Sequence, residues 1–192
     1  MAFGWHLWWN IYVAGPPRGT EGDRRPDDRN GGVGMDLNDY FAATWDARGR
    51  LLDACEELTP EEWTREFPFS WKSLRNLVAH IIEVEDSWVA ADIEGRAWTS
   101  PDDAEIARRY ATPALARARG QKVAAATKRV LAAFVPSGLK ELRHGKQLDG
   151  TEVNFTVEQI LTHVFTHELR HQGQIQAMLR LLGKKAPNAD WI

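Results

Sequence analysis

The segment LTHVFTHELRHQGQIQAMLRLLG, Leu161–Gly183, decides how the chain is read. Its apolar residues recur at helical spacing: Val164, Ile175, Met178 and Leu182 share one stripe that reaches back to Ile160. His167 and His171 fill the gap in that stripe. Residues four apart on a helix stack one turn above the other, with Cβ atoms roughly 5–6 Å apart. Two imidazoles so placed can reach one metal ion at about 2.0–2.1 Å each; the alternative is a pair of core histidines hydrogen-bonded to neighbours. The same residues spell HELRH, the H-E-x-x-H string of zinc peptidases.

The peptidase reading fails within the sequence. In those enzymes a third ligand follows the motif, as a Glu on a later helix or a His six residues on. After His171 the remaining 21 residues contain no Glu and no His, and Asp190 is their only acid. His163, eight residues before His171, is displaced from it by about 12 Å along the helix. It is therefore read as a supporting or structural residue, and the third ligand must come from another helix. His80 is the natural choice, flanked by the apolar Leu77, Ile81 and Val84. Facing helices in a bundle lie about 8–10 Å apart, so His80 can close a three-histidine site with His167 and His171. Such a site leaves positions open for water or substrate. His6 and His144, in a tail and a turn, are expected in solvent.

The rest of the chain supplies the partners of that helix. From Asp36 to Leu58, Leu37, Phe41, Trp45, Leu51, Leu52 and Cys55 fall roughly at helical spacing. Thr59, Pro60 and Glu62 form a capping signal for a short helical turn. Ser73 opens a second long helix with Leu74, Leu77, Val78, Ile81, Val84 and Trp88 on one stripe, and Gly95 is its expected C-cap. Residues 96–111 form a long connection with a helical turn at PDDAEIARRY. A third long helix runs from Thr112–Pro113 to about Val135. Between it and the last helix, LKELRHGKQLDGTEVNF has strand-turn character, with Asp149–Gly150 the hairpin signal. Thr156, with Gln159 three residues on, caps the fourth long helix, which ends at Gly183. The expected fold is all-α: a four-helix bundle with a long central crossover connection.

Composition narrows the function classes. The 192 residues are 43% hydrophobic and 27% charged, as in a soluble globular domain, with a net charge of −3 that gives no reason to expect nucleic acid or an anionic membrane surface. Cys55 is the only cysteine, so no internal disulfide and no cysteine metal cluster can form; a reducing, cytoplasmic setting fits. No run approaches the roughly 20 apolar residues of a membrane span. Residues 1–34 differ from the rest: a Trp-rich apolar start gives way to Gly, Pro and charge without periodicity. They are read as a disordered or non-native extension ahead of a bundle spanning 35–192. Trp45, Trp63, Trp71 and Trp88 are expected as core packing or pocket wall, and Arg117, Arg119, Lys122, Lys128 and Arg129 as a solvated face. Glu168 lies about 100° around the helix from His167, which suggests a solvent-facing or supporting role.

Three passages now carry a pattern: SLRNLVAHIIEVEDSW around His80, LTHVFTHELRHQGQIQAMLRLLG around the other histidines, and the closing PNADWI. In them the sequence resembles the DinB family of DinB/YfiT-like metalloenzymes, from about Met35 to Ile192. The family's last helix looks like H-x-x-x-H-x-x-x-H followed by R-G-Q and an L-R-x-L-G ending; here Gln172 stands where the Arg is usual. The resemblance implies a four-helix bundle, often a homodimer, with His80, His167 and His171 holding a divalent ion such as zinc, nickel or manganese. It also implies thiol-dependent transferases and isomerases, using mycothiol, bacillithiol or glutathione, among the relatives. The expected function is a metal-dependent thiol S-transferase acting on a small molecule. The alternatives are metal-assisted hydrolysis, in which a bound hydroxide attacks an amide or ester, and a non-enzymatic metal-binding stress-response bundle.

Overall fold

The computed structural model describes residues 37–133, 138–146 and 151–190. Each element forms where the local chemistry asks for it. In α1 (Leu37–Glu56), Phe41, Thr44, Arg48, Leu51, Leu52 and Cys55 bury one face at i, i+3, i+4 spacing. α2 (Pro60–Thr64) starts with a full capping box: the Thr59 hydroxyl accepts from Glu62 N–H, and the Glu62 carboxylate accepts from Thr59 N–H. α3 (Leu74–Ser87) is capped by Ser73, whose hydroxyl accepts from the Asn76 N–H at 3.2 Å. α4 (Asp103–Arg109) is the helical turn foreseen in the long connection, capped by Asp102. α5 (Pro113–Ala133) follows. The 3₁₀ turn Gly138–Lys140 leads into β1 (Leu142–Lys146), which pairs antiparallel with β2 (Glu152–Thr156) in the register Leu142↔Thr156. That pairing is the hairpin Asp149–Gly150 signalled; the turn itself lies outside the described residues, as do residues 1–34 and the expected end of the third long helix near Val135. α6 (Val157–Leu181) opens with the Thr156/Gln159 capping box. It closes on Gly183 at φ +73°, with Lys184 N–H bonded to Leu179 C=O.

The four long helices α1, α3, α5 and α6 make a four-helix bundle with a long crossover between α3 and α5. α1 packs against α5 and α6, and α3 does the same, so α1 and α3 occupy opposite corners. α5 approaches closely because it buries small residues. A Cβ on Gly120 would stand 3.3 Å from Ile82 Cδ1 and 3.6 Å from Arg48 Nη1.

The second long helix departs from its expected regularity. It is α-helical to Ser87 and then π-helical over Trp88–Ile93, ending at Gly95 with φ +65°. The wider turn admits Trp88, Val89, Ala90 and Ile93 to the core together.

The core is split into two apolar clusters. One joins Leu51, Leu52, Cys55, Trp63, the apolar residues of α3 from Leu74 to Ile82, Ile106, Tyr110, Val123 and the apolar end of α6 from Ile175. The other joins Phe41, Trp88, Val89, Ile93, Val130, Leu131 and the start of α6 up to Val164. Each fully buried Leu, Ile or Phe adds about 1.5–3 kcal/mol. Between the clusters each long helix contributes polar residues to a buried layer: Thr44 and Arg48, His80, Glu83 and Glu85, Thr127, and His167, Glu168, His171 and Gln172. The site lies in that layer.

Candidate metal centre

His80 on α3 and His167 and His171 on α6 converge. His80 Nε2 lies 2.9 Å from His167 Nε2, and His171 Nε2 lies 3.1 Å from the same atom. The three residues are 7%, 8% and 9% exposed, and their ligating atoms all fall within 4.8 Å of one another. Among the described residues this is the cluster of metal-ligating side chains. Ligands about 2.0–2.1 Å from a tetrahedral ion sit about 3.3 Å apart, so a small outward adjustment of the rings accommodates a divalent cation. Burial holds all three imidazoles neutral by pushing their pKa down from the usual 6.5. The neighbouring rings lower His80 and His167 further. A neutral imidazole is the ligating form.

The surroundings orient the rings. Trp71 stacks on His80 with centroids 4.0 Å apart and planes at 25°. His171 Nδ1–H donates to Gln174 Oε1 at 2.7 Å, and Ser70 Oγ–H donates to the same oxygen at 2.6 Å. The sequence assigns no role to Ser70 or to Gln174, although Gln174 is the Gln of the R-G-Q signature. The spacing of Gln174, three residues after His171, was the available signal; Ser70 gave none, because its contact spans 104 positions. His163 is exposed and outside the cluster, its ring 5.8 Å from that of His167 and 5.1 Å from that of Trp88.

Glu168 corrects one expectation. It is not solvent-facing but 2% exposed, and it faces α1. Arg48 Nε–H donates to Glu168 Oε1 at 2.6 Å, and Arg48 Nη2 bridges Glu168 and Glu85. Gln172 donates to Glu168 Oε1 at 3.0 Å and to the Thr44 carbonyl at 2.9 Å. Thr127 Oγ1–H and Trp45 Nε1–H donate to Glu85. Burial pushes the Glu168 carboxyl up, Arg48 opposes that, and Glu85 adds to it. Burial alone would lower Arg48, but the two carboxylates outweigh it and keep the guanidinium charged. Thus the histidines of HELRH join one cluster and its glutamate joins another.

The remaining residues sort clearly. Arg119 is no free surface cation but pairs with Glu83 and Asp86, and Arg117 pairs with Asp53 and Glu56; Lys122, Lys128 and Arg129 are exposed as expected. Trp63 and Trp88 are core residues. Cys55 is fully buried, and its thiol is pushed up to about 12, chiefly by burial. No helix of the described residues is long and apolar enough to cross a membrane.

Comparison with known proteins agrees with this architecture. The chain is 26% identical over 162 residues to the uncharacterized protein YizA of Bacillus subtilis, covering 80% of this chain and 92% of YizA. Its fold superposes on a Bacillus subtilis structure described as "YfiT … a probable metal-dependent hydrolase with an unusual four-helix bundle topology" (TM-score 0.57, 17% identity, 85% of this chain and 96% of the other). It also superposes on the DinB-like protein YjoA of Bacillus subtilis (TM-score 0.55, 18% identity, 79% and 96%). The model of the DinB family matches residues 34–192, and the chain belongs to that family.

Proposed function

We propose that the chain is a divalent-metal-dependent enzyme that activates a low-molecular-weight thiol for transfer to a small electrophile. The observation that carries this reading is the convergence of three buried, neutral imidazoles on one point, with Glu168 drawn away into an ion pair with Arg48. A divalent ion held by His80, His167 and His171 would supply Lewis acidity, lowering the pKa of a coordinated thiol or water. The neutral rings leave the full positive charge of such an ion in place. Glu168 is committed to Arg48 and Gln172, so the base that water activation in a peptidase-like site would use is occupied. A thiol, with an ordinary pKa of about 8.5, needs less help to lose its proton. Cys55 does not serve as the nucleophile, because it is buried and held protonated. The thiol must therefore enter from solution. Trp71, over His80, offers an apolar wall, and His163 is a titratable side chain beside the cluster that solvent reaches.

A second reading, metal-dependent hydrolysis, is favoured by the description of the fold neighbour YfiT as a probable metal-dependent hydrolase. One assay separates them. Metal-loaded protein is incubated with a small electrophile bearing an ester, with and without each of a panel of thiols. Thiol consumption that stops on chelation and in His167→Ala supports transfer. Ester cleavage without thiol moves the assignment to hydrolysis, and neither activity at full metal loading leaves a metal-holding protein.

A further inference from the structure

Histidine ligates a metal through a ring nitrogen that carries no proton. The single proton of neutral imidazole sits on Nδ1 or Nε2, and a free ring samples both. His171 turns Nε2 toward the cluster and Nδ1 toward Gln174 Oε1. An amide oxygen only accepts, so that hydrogen bond exists only when Nδ1 carries the proton, and Nε2 is then bare. Ser70 Oγ–H donates to the same oxygen and ties Gln174 to the turn that precedes α3.

That turn is strained. Ser70 has φ +52° and Lys72 φ +65°, a region that side chains with a Cβ rarely adopt. Between them Trp71 lies flat on His80. The turn therefore grips both ligand-bearing helices, α3 through the Trp71 face and α6 through Ser70 and Gln174. Backbone strain persists where the surroundings over-determine it, and it gathers at ligand clamps.

We propose that Gln174 is the positioning residue that sets the metal-binding tautomer of His171. We further propose that the Phe69–Lys72 turn is a clamp that fixes Gln174 and His80 together, holding the three Nε2 atoms ready for a divalent cation. This rests on the three-histidine reading of the site.

The test uses the full chain and two readouts. In metal-free protein above pH 7, imidazole ¹⁵N shifts report the tautomer: wild type and Gln174→Glu keep the His171 proton on Nδ1, and Gln174→Leu becomes a mixture. In chelator competition with Zn²⁺, Gln174→Leu binds about 10–100-fold more weakly, the usual loss when a ligand's orienting partner is removed. Gln174→Glu, which keeps an acceptor, binds at wild-type strength or tighter, and Ser70→Ala loses a smaller factor than Gln174→Leu. Zinc binding by Gln174→Leu at wild-type strength overturns this proposal alone. So does a Gln174→Glu variant as weak as Gln174→Leu, because that marks Gln174 as merely structural. A wild-type chain that takes up no zinc overturns the three-histidine reading and this proposal with it.

Discussion

Two polar clusters share the buried layer of this bundle, and they are built on opposite principles. In one, the Arg48 guanidinium is shared between two carboxylates, Glu85 and Glu168, which take further hydrogen bonds from Thr127, Trp45 and Gln172. It is held together by groups of the chain itself and joins all four long helices, with Gln172 Oε1 the one buried polar side-chain atom among the described residues left without a hydrogen-bond partner. In the other, three neutral rings direct their Nε2 atoms at each other. With the ring protons on Nδ1, the three Nε2 lone pairs converge on one point, an arrangement that suits a cation. Polar groups that find partners within the fold brace it, whereas metal-ligating nitrogens converging in a low-dielectric setting could hold a cation. HELRH contributes to both, which is why a motif match alone misassigns it.

The contrast breaks most visibly at Arg48. Arg48→Met leaves two buried carboxylates facing each other without a counter-charge, and the expected loss is about 3–5 kcal/mol in urea unfolding. Adding Glu85→Leu and Glu168→Leu to that variant recovers most of it. A single variant with wild-type stability would show that the charged cluster is not the self-contained brace described here. His167→Ala is the mirror experiment. It removes the ring that both others approach, so stoichiometric zinc uptake is lost while unfolding stability changes by no more than about 2 kcal/mol.

Much of this was legible beforehand, and the residues show why. Capping boxes at Thr59 and Thr156, the Gly183 terminus and the i, i+4 pair His167/His171 are local patterns, and local geometry follows from local sequence. The fold class and the His167/His171 pair follow that way, whereas His80 follows from the spacing of facing helices in a bundle. No role follows from the sequence for Arg48, Ser70 or Gln174, and for Glu168 the sequence allows a solvent-facing or a supporting role. Arg48, Glu168 and Ser70 take their roles from partners on other elements, 104 or 120 positions away, and Gln174 joins His171, three residues before it, to the distant Ser70. The π-helical stretch Trp88–Ile93 escaped as well, because the stripe of apolar residues there suits an α-helix equally.

Acidity sharpens the comparison at the next scale. The three imidazoles have folded pKa values below 6.5. Below about pH 6.5 the unfolded chain therefore binds protons that the folded one refuses. With metal removed, stability is unaffected by these groups above that pH and falls as the pH drops toward their folded values. The slope reaches about 1.4 kcal/mol per pH unit for each histidine. His167→Ala flattens this dependence, and urea titrations at pH 5 to 7.5 measure it; an unchanged slope would mean the rings are already charged in the fold. The smallest effect belongs outside the layer. Lys122→Ala, on the exposed face of α5, changes stability by less than about 0.5 kcal/mol and zinc affinity not at all.

The most direct test of the central claim is metal content per chain, by elemental mass spectrometry, on wild type and His80→Ala purified side by side. The account predicts about one divalent ion per wild-type chain and its loss from the variant, because His80 on α3 closes the pair on α6. A variant that keeps its ion, or a folded wild type that takes up none when offered zinc, nickel or manganese, would contradict it.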